Sequence, residues 1–255
     1  MASLKESMGD GGVVLGTFVF EFATPGIGRL AAAAGAQFVI FDAEHTGWGW
    51  ETLTTLVATT RPTGAEAFIR VPAAERSYIS RALDIGATGL MIPMVESAEQ
   101  ARDIVSWANY PPLGVRGAAF GIAHDDYVPG DSADYMRRSN ADHLLIAQIE
   151  TVEGLAAADE IAAVPGIDVL WVGQYDLTNS MGIPGDFHHP DYLAALDRVS
   201  AAAARAGKWA GQMPTSVAEA QMLAQRGFRI LAYSGDLWIY QAALAEGLNR
   251  IRDSL

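Results

Sequence analysis

Short, nearly unbroken apolar runs alternate along this chain with longer alanine-rich stretches whose apolar residues recur three and four apart. The runs fall at 16–20, 38–41, 67–71, 89–94, 144–149, 169–172, 209–213 and 230–234. Each has the length of a strand and is apolar on both faces, the pattern of a parallel sheet covered on two sides. Between them the spacing predicts helices over 25–34, 51–60, 77–85, 98–107, 152–163, 192–206 and 217–226. Asp236 is the expected N-cap of a last helix running to about residue 252. Eight strand–helix units in 255 residues favour an α/β fold, a closed (β/α)8 barrel, whose usual length is about 250 residues. An open doubly wound sheet is the alternative, but its fingerprint is missing. The Gly-x-Gly at Gly26 and Gly28 follows no strand directly and lacks a third glycine. The expected organisation is a polar, disordered tail over 1–12 and one barrel domain over 13–255.

Composition narrows the chemistry. The chain has no cysteine, which removes disulfides, thiolate nucleophiles and thiolate metal sites. Its formal net charge of −13 argues against nucleic acid or an anionic membrane as partner. A small anionic substrate stays open, because cations inside a pocket outweigh the global field at short range. No apolar stretch reaches the roughly 18 residues of a membrane span, so a cytoplasmic location is expected. The segment 110–140 breaks the rhythm as a long loop suited to a lid or substrate wall. His188-His189-Pro190 reads as a helix entry, and Asp125-Asp126 as solvated loop.

The candidate chemistry sits where the strands end, the rim that carries the active sites of such barrels. Glu150 closes the run 144–149, and Asp176 follows 169–172. Two convergent carboxylates suit a hard divalent cation with positions left open for substrate. Taken alone, Asp176 reads as an Asx turn or an N-cap, and only together with Glu150 as a metal ligand. Gln148 shares the inward face with Glu150 and can donate to a bound carboxylate or keto group. The backbone of Gly173, Gln174 and Tyr175 can cradle a carboxylate beside the cation. His45, in Asp42-Ala43-Glu44-His45, is a candidate general base or a solvated loop residue. Arg70 either holds an anion or pairs structurally with Asp42, Glu150 or Asp176. The two lysines, Lys5 and Lys208, lie in the tail and before the seventh strand, which speaks against an imine mechanism.

Six ordered blocks resemble the HpcH/HpaI family of class II pyruvate aldolases. They are Phe41-Asp42-Ala43-Glu44-His45, Phe68-Ile69-Arg70, and Gly86-Ala87-Thr88-Gly89-Leu90-Met91-Ile92-Pro93-Met94-Val95. Then come Tyr110-Pro111-Pro112-Leu113-Gly114-Val115-Arg116-Gly117, Gln148-Ile149-Glu150-Thr151, and Gly173-Gln174-Tyr175-Asp176-Leu177 through Gly185. The resemblance covers about 15–236 and implies a barrel of the pyruvate/phosphoenolpyruvate superfamily. It implies assembly as a homo-oligomer, a hexamer or trimer, with the final helix exchanged between neighbours. It implies Glu150 and Asp176 as ligands of Mg2+, Mn2+ or Co2+, His45 as acid/base residue, Arg70 on the keto oxygen and Gln148 on the donor. Asp84 matches the aspartate that pairs with that histidine across a subunit boundary, and otherwise reads as a helix-terminal surface charge. The activity implied is reversible aldol cleavage or addition between pyruvate, or a close 2-oxo acid such as hydroxypyruvate, and an aldehyde, through a metal-stabilised enolate. Oxaloacetate decarboxylation is the expected side activity. A CoA-ester lyase of the citryl/malyl type is the rival within the superfamily, and a non-catalytic carboxylate- or metal-binding subunit the rival outside it. Gln174 departs from the proline the family often carries there, and 118–127 diverges where acceptor choice is expected to be shaped.

Overall fold

Eight parallel strands close into a barrel in sequence order: β1 (Val14–Val19), β2 (Phe38–Asp42), β3 (Glu66–Arg70), β4 (Gly89–Ile92), β5 (Leu144–Ile149), β6 (Val169–Val172), β7 (Trp209–Gln212) and β8 (Phe228–Gly235). The computed structural model describes residues 4–128 and 130–255. Strand alternation divides each run between two cores. Odd-layer residues such as Phe18, Phe38, Ile40, Phe68, Met91, Ile146 and Trp171 fill the barrel interior. Their neighbours Val39, Phe41, Ile69, Leu90, Leu145 and Leu170 pack outward under the helices. The interior interlocks large with small. The Phe38 and Phe68 rings stack at 5.5 Å, and a Cβ on Gly16 or Gly89 would come within 2.6 or 2.7 Å of them.

The predicted helices are present, with four differences. The 1–12 expectation is corrected at 4–9: Leu4–Gly9 is a helix, and its Leu4 and Met8 are buried in the interior core. This helix stops the bottom of the barrel, and residues 1–3 lie outside the described ones. The 152–163 helix is two, Val152–Ala156 and Ala158–Ala162. The long loop contains a further helix, Ser132–Asp142, capped by the Asp131 carboxylate. Asp236 is the first residue of helix Asp236–Ser254 rather than its N-cap. Its carboxylate accepts the N–H groups of Phe20, Glu21 and Phe22, tying the end of β1 to the last helix. At the other histidine motif, Pro190 opens helix Pro190–Arg205 and His189 accepts from the Asp191 N–H. No helix among the described residues is long and apolar enough to cross a membrane.

Candidate active site

The last inward positions of β2 and β3 are paired in register, Asp42 beside Arg70. Inward parity runs Phe38, Ile40, Asp42 on one strand and Phe68, Arg70 on the next, so both polar groups meet above the apolar interior. The Asp42 Oδ1 accepts from Arg70 Nε at 2.5 Å. Asp42 is fully buried, and its carboxylate also takes the N–H groups of Glu44 and His45. One buried carboxylate thus fixes both the arginine and the turn that carries the histidine. The Arg70 guanidinium lies over the Phe18 and Phe20 rings at 5.4 and 5.7 Å. Its two terminal nitrogens make no hydrogen bond among the described residues and are left for a ligand at the mouth.

Across the mouth, Glu150 follows β5 and is 2 % exposed. Its Oε1 accepts from the Met94 N–H at 2.7 Å. Met94 reaches that position with a φ of 54°, a left-handed conformation that a non-glycine residue adopts only when its surroundings hold it there. Its Oε2 accepts from Gln148 Nε2 at 2.5 Å. Gly173, after β6, packs on this pair so closely that a Cβ there would stand 2.4 Å from Glu150 Oε2. The helix Gln174–Ser180 then begins, with Asp176 in its first turn. Asp176 is exposed at the rim, near enough to Glu150 and Glu44 to push both carboxyls up.

Of the expected site residues, the structure gathers His45, Arg70, Gln148, Glu150, Gly173 and Asp176 at one mouth. The side chains of the other three are placed as follows. The Gln174 side-chain amide donates one hydrogen to the Met213 carbonyl at 3.0 Å. Tyr175 is exposed, with its ring edge-on to Phe187 at 4.9 Å. Asp84 sits at the end of helix Arg76–Asp84, where its Oδ1 accepts from Arg116 Nη2 at 2.7 Å rather than facing His45 within the chain. Asp42, named among the candidate partners of Arg70, is the one it bonds, while Glu44 had no assigned role. The Glu44 Oε2 lies 3.3 Å from Arg70 Nε and 3.8 Å from His45 Nε2. The signal for Asp42 was strand parity; for Glu44 there was none beyond the neighbouring histidine.

The charge inventory tests whether a cation belongs here. Asp42, Glu44, Glu150 and Asp176 surround a single arginine. Burial, then the neighbouring carboxylates Glu44 and Asp176, push Glu150 up to about 7, against the lowering by the Met94 N–H and Arg70. Burial raises Glu44 too, offset by Arg70 and His45. Two buried oxygens at the mouth, Glu44 Oε2 and Gln148 Oε1, have no hydrogen-bond partner. No group of three or more metal-ligating side chains occurs among the described residues. Two carboxylate ligands, excess negative charge and orphaned oxygens fit a hard divalent cation completed by substrate and water. Glu150 and Asp176 would hold it.

A pH dependence follows for the metal-free protein. Folding raises Glu150 from 4.5 to about 7, so between those values the folded state holds a proton that the unfolded chain releases. Its contribution is full below pH 4.5 and is lost as pH rises through 7. The loss amounts to about 3 kcal/mol. Urea melts of the chelator-treated protein from pH 4.5 to 7.5 should show stability falling with pH, and Glu150→Gln should lack that part of the slope. Equal slopes in the two proteins would contradict a raised Glu150.

Comparison with known proteins agrees with this geometry. Residues 18–242 match the profile of the HpcH/HpaI aldolase/citrate lyase family. The hydroxypyruvate/pyruvate aldolase of Delftia acidovorans is 35 % identical over 91 % of this chain and 86 % of its own. The 2-keto-3-deoxy-L-rhamnonate aldolase of Klebsiella pneumoniae is 34 % identical over 85 % of this chain and 80 % of its own. The crystal structure of an HpcH/HpaI aldolase from Desulfitobacterium hafniense superposes with a TM-score of 0.93 at 34 % identity, covering 99 % of this chain and 97 % of that one. Sequence and structure coincide over nearly the whole barrel, and the chain belongs to the HpcH/HpaI aldolase/citrate lyase family.

Proposed function

We propose that the protein is a divalent-metal-dependent aldolase that joins pyruvate, or a close 2-oxo acid such as hydroxypyruvate, reversibly to an aldehyde. The observation that carries this reading is the mouth itself: Glu150 and Asp176 on one side, and the free end of Arg70 on the other. Similar proteins named for aldol chemistry on 2-oxo acids support it. Both lysines lie away from this mouth. Lys5 is on the bottom helix, bonded to the Ala141 carbonyl and Asp168, and Lys208 precedes β7. An imine cannot form at the site.

The 2-oxo acid is oriented by Arg70 at its keto oxygen, with Gln148 and the backbone after Gly173 available to its carboxylate. Arg70 favours the enolate because its guanidinium, held by Asp42, is already in place when negative charge develops on that oxygen. Bound Mg2+, Mn2+ or Co2+ would supply Lewis acidity to the carboxylate and keto oxygens. His45, at the exposed edge of the mouth, takes the proton in one direction and returns it in the other. The same enolate forms when oxaloacetate loses CO2, so decarboxylation is part of the proposal. So is a homo-oligomer, trimer or hexamer. Trp238, Ile239, Tyr240, Leu244, Leu248 and Ile251 are exposed along the last helix, an apolar surface suited to a neighbouring copy.

The test is exchange of the pyruvate methyl protons for deuterium, followed by NMR in D2O. Exchange should stop with EDTA and return with Mg2+ or Mn2+. Exchange that persists in EDTA would remove the metal from the reading, and no exchange with any of the metals would remove pyruvate.

A further inference from the structure

The strands share out the mouth between them. Asp42 and Arg70 end β2 and β3, and Glu150 and Asp176 follow β5 and β6. A 2-oxo acid held by those groups leaves β7, β8 and β1 as the sector that faces an aldehyde. Met213 and Phe20, at the ends of β7 and β1, are apolar and packed on the interior core. The Asp236 carboxylate is spent on the N–H groups of Phe20, Glu21 and Phe22. Ser234, near the end of β8, is the polar side chain left over.

Ser234 sits in a β-bulge. Gly16 pairs with Ala232 and Phe18 with Gly235, so two steps of β1 run beside three of β8. Bulges at barrel rims re-aim a side chain beside an active site. The φ of Ser234 is 51°, a conformation that glycine takes freely and serine only when its surroundings hold it there. Those surroundings are in place. The Ser234 N–H donates to the Pro214 carbonyl at 2.9 Å, and the preceding carbonyl, of Tyr233, accepts from Thr17 Oγ1 at 2.9 Å. Gly235, on the other side, is pressed so tightly that a Cβ would come within 2.8 Å of Phe20 and 2.9 Å of Trp238. The same Phe20 ring carries the Arg70 guanidinium at 5.7 Å, so one ring separates the bulge from the group at the keto oxygen. Ser234 is only 7 % exposed, yet its hydroxyl makes no hydrogen bond among the described residues. What this strained, anchored serine adds over glycine is an unspent hydroxyl at the rim.

We propose that Ser234 selects the acceptor: its hydroxyl bonds a hydroxyl of the aldehyde, so hydroxyaldehydes are taken in preference to the same aldehydes without that group. A serine hydroxyl both donates and accepts, which matches a hydroxyl partner. Phe20 and Met213 supply an apolar wall for the carbon chain. An aldehyde lacking the hydroxyl leaves the serine unpaired, and sites built to bond a hydroxyl discriminate in this way. This inference rests on the aldolase reading of the same mouth.

The experiment compares glycolaldehyde with acetaldehyde as acceptors of pyruvate in the metal-loaded wild type, Ser234→Ala and Ser234→Gly. Wild type should prefer glycolaldehyde in kcat/KM. Both variants should lose that preference by about fivefold to tenfold, the worth of one neutral hydrogen bond, with the loss in the KM for glycolaldehyde and acetaldehyde addition within about threefold. Ser234→Gly suits the left-handed backbone, so an equal loss there assigns the effect to the hydroxyl rather than to strain. Pyruvate H/D exchange, which needs no acceptor, should stay within about threefold in both. Three results would overturn the inference: a wild type indifferent to the two aldehydes, variants that keep the wild-type preference, or variants that slow exchange and both additions alike, which would place Ser234 on the enolate or the fold. Wild type without exchange and without addition to either aldehyde would bring down the aldolase reading itself, and this inference with it.

Discussion

Glu150→Ala is expected to abolish turnover, lowering the rate of pyruvate exchange by at least about 10³-fold. A Lewis acid at a developing oxyanion contributes several kcal/mol, and about 1.4 kcal/mol is a factor of ten. Removing the carboxylate takes away one of the two proposed ligands at the mouth. It also strips the acceptor from the Met94 N–H, which the chain holds in a left-handed turn to make that bond. The Gln148 amide loses its partner as well. Mn2+ titration followed by EPR separates the effects: affinity should fall sharply in Glu150→Ala and in Glu150→Gln alike, since Gln keeps the shape but not the charge. A Glu150→Ala protein with wild-type metal affinity would assign the cation elsewhere.

Arg70→Lys should be nearly as damaging, with kcat/KM down by about 10²- to 10³-fold, the cost of losing a preorganised oxyanion donor. The charge is retained, so Asp42 keeps a counter-ion and the barrel should still fold. What is lost is the fork. Arg70 gives Nε to Asp42 and keeps two terminal nitrogens for substrate, whereas an ammonium that satisfies Asp42 cannot also reach the keto oxygen. Arg70→Ala should behave differently in one respect. It leaves a fully buried Asp42 unpaired, so it should lose roughly 3–5 kcal/mol of stability besides activity. Denaturant melts and exchange kinetics on both variants distinguish these effects. Wild-type kcat/KM in Arg70→Lys would show that the charge alone suffices.

Much of the barrel was legible because its strands are buried on both faces and therefore appear as uninterrupted apolar runs. β5 and β6 were placed to the residue on that basis. Helix Leu4–Gly9 was not, because only two of its six residues, Leu4 and Met8, are apolar contacts, too few for a periodicity. That Glu150 and Asp176 stand at the mouth could be read from their places after β5 and β6. The partners of Arg70 and Asp84 could not be chosen among several carboxylates, because that choice depends on register and loop geometry: Asp42 is beside Arg70 across one strand pair, while Arg116 reaches Asp84 from 32 residues away. The bond from the Gln174 side-chain amide to Met213 was equally out of reach, because it depends on the close passage of the β7 end.

The helix Leu4–Gly9 beneath the barrel and the ring-filled interior above it have a kinetic consequence. With Leu4 and Met8 packed against the interior core, the bottom of the barrel is closed among the described residues, and the mouth with Arg70 and Glu150 is the open end. The oxo acid must lodge at the inner end of that passage, against Arg70 and Glu150, and the aldehyde must stand outside it. An aldehyde that arrives first blocks the way in; an oxo acid that tries to leave first finds the way out occupied. Steady-state kinetics should therefore be ordered, the oxo acid first on in synthesis and last off in cleavage.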